Sequence, residues 1–87
     1  MKIIRINAVW CPGCIIMKKT WEKLGPINTN FTDLDYDINE EECKKYDIGN
    51  KLPVTIVFKE EKEIGRIIGE KNEKELKKYL EEFGVIK

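Results

Sequence analysis

The sequence predicts an α/β domain in which a four-stranded mixed sheet is flanked by three helices, in the order βαβαββα. Three observations carry that prediction. Runs of strand-like and helix-like period alternate along the chain, with no repeat, low-complexity tract or linker between them. The opening strand, helix, strand implies a right-handed parallel crossover. The last two strand-like runs are joined by a short turn through residues 60–62, a hairpin that adds antiparallel strands to the same sheet. At 87 residues and 41% apolar composition, residues 1–87 form one domain with one modest core.

Residues 2–9, KIIRINAV, are β-rich and largely apolar on both faces, which suits a central strand. Pro12 stands where the first turn of a helix accepts proline. Ile16, Met17, Thr20, Trp21 and Leu24 then recur at helical spacing until Gly25 and Pro26 stop the helix. Residues 31–36 read as a second strand, and Asn39 caps a short helix with acids in its first turn. VTIVF, residues 54–58, is the strongest strand signal, and residues 63–68 are its hairpin partner. Asn72 caps a last amphipathic helix that buries Leu76, Leu80 and Phe83. Met17, Trp21 and Leu24 share a face and are assigned to the core, while the Lys/Glu runs at 40–45 and 71–82 are solvated helix faces.

Lys plus Arg and Asp plus Glu cancel at 16 each, so no net field marks a nucleic-acid or membrane-surface protein. No stretch approaches the ~20 apolar residues of a membrane span, and the N-terminal apolar run is too short for a signal peptide. A cytoplasmic monomer is the expectation. Three cysteines, an odd number, argue against a secreted disulfide framework.

The chemistry concentrates in AVWCPGCIIMKKTW. Cys11 falls at the junction of the first strand and first helix, with Cys14 in that helix's first turn. Unpaired N–H groups and the partial positive charge of a helix start stabilise a thiolate at Cys11. The i, i+3 spacing lets Cys14 reach it and close a small disulfide loop. Greater exposure is expected to make Cys11 the attacker, and a deeper position to make Cys14 the resolver. The competing use of such a pair is a metal site, but structural zinc takes four ligands, and the chain offers no histidine and only Cys43 besides. Cys43 itself is read as an inert, partly buried thiol. A metal carrier and a non-catalytic binding module stay open as alternatives.

With Trp10 before Cys11, a proline opening the third strand in YDIGNKLPVTIVF, and FKEEKEIGRIIG ending at Gly69, the sequence resembles the thioredoxin family over nearly its whole length. It lacks the N-terminal strand and helix of a full thioredoxin, so its size is nearer that of a glutaredoxin. The resemblance implies a minimal thioredoxin fold and thiol:disulfide exchange through Cys11 and Cys14 with no organic cofactor. It further implies a cis Pro53 and a substrate-binding rim of Trp10, Pro12, Gly13, Leu52, Pro53 and Gly69. Disulfide-containing client proteins are the implied substrates. KLP (51–53) and GEKN (69–72) stand where glutaredoxins carry their glutathione-binding stretches, so a thioredoxin-reductase-like flavoprotein is the expected electron donor and a glutathione-dependent glutaredoxin the alternative. By the same alignment Arg5 takes the place of a buried aspartate beneath the resolving cysteine, and Asp33 that of its lysine partner. The expectation is a charge-swapped pair that tunes Cys14 through Arg5, set against the plainer reading that both side chains face solvent.

Overall fold

β1 (Lys2–Asn7) is the spine of a four-stranded sheet of order β2-β1-β3-β4, in a computed structural model that describes residues 1–49 and 51–86. It pairs in parallel with β2 (Asn30–Asp35) and antiparallel with β3 (Val54–Lys59), which in turn pairs antiparallel with β4 (Lys62–Ile68). The helices α1 (Pro12–Leu24), α2 (Glu40–Lys45) and α3 (Glu73–Glu82) complete the predicted order.

Side-chain alternation on the two inner strands divides the core in two. Ile3 and Val57 point to one face, where Met17 and Trp21 of α1 and Leu76 and Leu80 of α3 cover them. Ile4, Ile6, Val54 and Ile56 point to the other, where Leu34, Cys43 and Ile48 close over them. Apolar burial on both faces is why residues 54–57 read as a continuous run rather than an alternating one. Midway along β4, Gly65 leaves room for the ring of Phe83, which a Cβ there would strike. Phe83 is the C-cap of α3 and only half-buried, packing against the core rather than within it.

Each strand differs from the sequence reading at one boundary or both, with β3 running on to Lys59 and β4 starting at Lys62, which was read as part of the turn. β1 stops at Asn7 instead of running to residue 9, because the Cys11 N–H donates to the Ala8 carbonyl (3.2 Å) and folds residues 8–11 into a turn. Val9 is consequently 84% exposed. β2 runs from Asn30 to Asp35, and Tyr36, expected to be its last residue, leaves the strand with its N–H donating to the Asn7 carbonyl (2.8 Å). The β3–β4 hairpin turns through Glu60 and Glu61, both at positive φ (52° and 67°), a conformation that glycine or asparagine usually supplies.

Candidate active site

The turn at residues 8–11 delivers Cys11 to the N-cap of α1, with extended φ/ψ of −94° and 108°. There its Sγ accepts the Cys14 N–H at 3.1 Å, the bond that an oxygen makes at an ordinary helix start. Pro12 follows in the first turn, where its missing N–H costs nothing, and no acidic residue opposes negative charge in that turn. All three cysteines are free thiols. Burial and a hydrogen bond to Cys11 push the Cys14 thiol up to about 12, reinforced by the Cys11 charge and opposed by a hydrogen bond from the Ala8 backbone.

The two thiols are therefore unequal, though not for the reason expected from their positions in the chain. Each is 5% exposed, so exposure does not separate attacker from resolver. Both sit in one apolar cluster with Ala8 under Tyr36 and Leu52. The distinction lies in bonding: Cys11 sulfur receives the helix N–H, whereas the Cys14 thiol is held in its protonated form.

The Leu52–Pro53 peptide bond is cis, and Pro53 Cδ lies 3.5 Å from where a Gly13 Cβ would be. Gly69, at φ 85°, donates its N–H to the Pro53 carbonyl at 2.8 Å. Leu52, Pro53, Gly13 and Gly69 thus frame one side of the dithiol, with Pro12 exposed beside them. Trp10 stands on the other side, 58% exposed, with its Nε1 donating to Asp37 Oδ2 at 2.7 Å and its ring edge-on to Tyr36. Asp37 and Glu70, whose carboxyl carbon is 3.6 Å from the Gly13 Cβ position, escaped the sequence reading. No local motif marks either, since both depend on loops that meet only in the fold.

Arg5 and Asp33 are register partners on β1 and β2 and form a two-pronged ion pair, Nε to Oδ1 at 2.7 Å and a terminal nitrogen to Oδ2 at 2.9 Å. The guanidinium also lies over Phe31 (4.3 Å to the ring centroid) and near Trp21 (5.4 Å). The pair floors a groove of about 580 Å³ that Cys14, Ile15 and Lys18 also line. The plainer reading is thereby corrected for Arg5, whose side chain is 24% exposed, but fits Asp33 at 57%. Burial and Cys11 raise the Cys14 pKa and the Ala8 backbone opposes them, while the Arg5 guanidinium that lines the same groove is held by Asp33 at hydrogen-bond distance.

Cys43 is 2% exposed rather than partly so, and its thiol faces the Asp35 carbonyl at 3.9 Å. Burial, with Glu42 and Asp35 adding, raises its pKa and so disfavours the reactive thiolate. Among the described residues, no group of three or more His, Cys, Asp or Glu is placed to hold a metal ion. Among the same residues no helix is long and apolar enough to cross a membrane.

A dithiol at a helix start beside a cis-proline, on a four-stranded mixed sheet, is the arrangement of the thiol:disulfide oxidoreductases. Known structures narrow the class. The thioredoxin from Fasciola hepatica is 28% identical and superposes with a TM-score of 0.79 over 93% of this chain and 78% of that one. The thioredoxin of Trypanosoma brucei brucei, also 28% identical, gives 0.79 over 94% and 73%. The malaria parasite's thioredoxin-2, at 20% identity, shares the fold with a TM-score of 0.81 over 93% and 81%. No curated protein sequence matches the chain. The thioredoxin family profile matches residues 1–82, and the chain belongs to that family.

Proposed function

We propose that the protein is a cytoplasmic protein-disulfide reductase, driven by a thioredoxin-reductase-like flavoprotein. The observation that carries this is the unequal dithiol, with the helix N–H on Cys11 Sγ and a proton retained on Cys14. The Cys11 thiolate attacks a client disulfide, forming one S–S bond to the client and expelling the other client sulfur, which takes up a proton. Cys14 then gives up its proton and attacks Cys11 sulfur. The second client thiol leaves, and Cys11–Cys14 closes, so the client has gained two electrons and two protons. The flavoprotein returns two electrons to the disulfide.

The start of α3 supports this donor over glutathione. At GEKN, the place of a glutathione-binding turn in glutaredoxins, Asn72 Oδ1 accepts the Glu75 N–H (2.8 Å) and Glu75 accepts the Asn72 N–H (3.4 Å). Two amide donors at this helix start are thereby engaged, and the acidic Glu73 and Glu75 oppose a glutathione carboxylate there. The test is reduction of insulin disulfides, with NADPH and a thioredoxin reductase in one arm and glutathione with glutathione reductase in the other. Turnover is expected only in the first arm. Turnover confined to the glutathione arm overturns the donor, and none in either arm overturns the reductase reading, as would a metal ion that co-purifies in place of activity.

A further inference from the structure

The rim of the dithiol carries one acidic group that the exchange chemistry does not use. Glu70 projects from the strap between β4 and α3, its carboxyl carbon 3.6 Å and its Cβ 3.7 Å from the Gly13 Cβ position, between the two cysteines in sequence. Both neighbours of Glu70 are tethered. The Gly69 N–H is on the Pro53 carbonyl at 2.8 Å, and the Lys71 N–H points at Met17 Sδ at 3.5 Å. The backbone therefore holds this side chain over the CPGC loop.

Its electrostatic state differs from that of the other rim carboxylate. Asp37 is engaged by the Trp10 indole at 2.7 Å. Glu70 is exposed and takes part in no hydrogen bond or ion pair among the described residues. A free carboxylate at the edge of a docking face attracts a cation brought by the incoming segment and repels an anion. The edge around Trp10 exposes Val9, Trp10 and Ile38, at 84%, 58% and 81%, and its carboxylate, Asp37, is the one engaged by the indole.

We propose that Glu70 determines client choice, so that the site prefers disulfides flanked by a basic residue and disfavours acidic ones. The inference rests on the reductase reading and names its substrate class. A rim pair of this kind is worth little in absolute terms, about two- to fivefold in rate constant at low salt. It is nonetheless readable as a ratio.

The experiment measures kcat/KM for three synthetic disulfide peptides, alike except for a Lys, a Gln or a Glu beside one cysteine, with oxidised glutathione as a fourth, strongly anionic disulfide. The wild type, Glu70→Gln, Glu70→Lys and Glu73→Gln are compared at low and high salt. For the wild type, the Lys peptide is expected to exceed the Glu peptide, and the ratio to shrink with salt. Glu70→Gln should bring the ratio near one, Glu70→Lys should reverse it and favour oxidised glutathione, and Glu73→Gln should leave it intact. An unchanged ratio in Glu70→Gln overturns the proposal, as does an equal effect from Glu73→Gln, which would assign the preference to the general field of α3. Equal changes for all three peptides would assign Glu70 to the dithiol's reactivity and also overturn it. The Gln peptide separates this inference from the reading beneath it. If no variant reduces that peptide, the reductase reading fails, whereas reduction without discrimination defeats Glu70 alone.

Discussion

The starts of α1 and α3 meet the same demand with different atoms. Each leaves backbone N–H groups without partners in its first turn. At α3 two oxygens answer, from Asn72 and Glu75 in a reciprocal box, and Glu73 adds negative charge where the dipole favours it. At α1 a single sulfur answers, in a first turn with no acid at all. One helix start is settled by its own side chains, while the other keeps its positive potential for a thiolate and for whatever sulfur arrives next. The difference teaches how local stability is given up for chemistry, since sulfur is the poorer acceptor and cysteine is not among the favoured cap residues.

The largest expected effect breaks that comparison at its centre. Cys11→Ser should abolish disulfide reduction while leaving urea stability unchanged or up to about 1 kcal/mol higher, because an oxygen cap replaces a sulfur one. A serine protein that unfolds clearly earlier than wild type would mean that the sulfur is not serving as a cap. Cys14→Ser should still attack clients through Cys11 but accumulate them as mixed disulfides, visible by mass spectrometry. Rapid release from that variant would reverse the two roles.

Alkaline titration sharpens the same contrast. The fold raises the Cys14 pKa from 9.0 to about 12, so the unfolded thiol ionises first. Stability linked to Cys14 is fully present below pH 9.0 and is lost as pH rises toward about 12. The reduced wild type should therefore lose melting temperature across that window more steeply than Cys14→Ser, and parallel curves would contradict it. At α3, Asn72→Ala should cost about 1 kcal/mol of stability with insulin reduction unaffected. The smallest effect belongs to Arg5→Met, which removes a half-exposed ion pair but keeps the packing under Trp21 and Phe31. A cost of about 0.5–1 kcal/mol is expected, with resolution of a Cys11 mixed disulfide changed by less than about twofold across neutral pH. A shifted resolution profile would show that the start of α1 depends on β1 for its chemistry after all.

The sequence disclosed most where neighbours in the chain decide the outcome. Periodicity and caps located all seven elements, and C-x-x-C with a cis Pro53 marked the candidate site, because a helix start and an X-Pro bond are local events. Residues 8 and 9 were misread as strand because Ala and Val carry no turn signal, and the Cys11–Ala8 bond that ends β1 is invisible in composition. Equal burial of the two thiols was beyond reach for another reason. It depends on Tyr36 and Leu52, which approach the dithiol from two different loops. The Trp10–Asp37 bond and the Glu70–Gly13 approach belong to that same non-local kind. Arg5 and Asp33 were legible as a pair, but its two-pronged geometry, with bonds of 2.7 and 2.9 Å, is something that no alignment supplies.

The sheet order has a consequence for self-association. With β1 and β3 inside, β2 and β4 are open edges, each offering unpaired backbone groups on which another copy of the chain could template. Overall charge offers no protection, since 16 basic and 16 acidic residues balance. Protection is local: β2 sets Asp33 and Asp35 along its edge, and β4 sets Lys62, Glu63 and Arg66 along its own and is paired to β3 through an irregular register at Val57/Phe58. Two β2 edges aligned with each other would bring carboxylates of like charge together, so in an electrically balanced chain the placement of charges opposes that one mode of stacking.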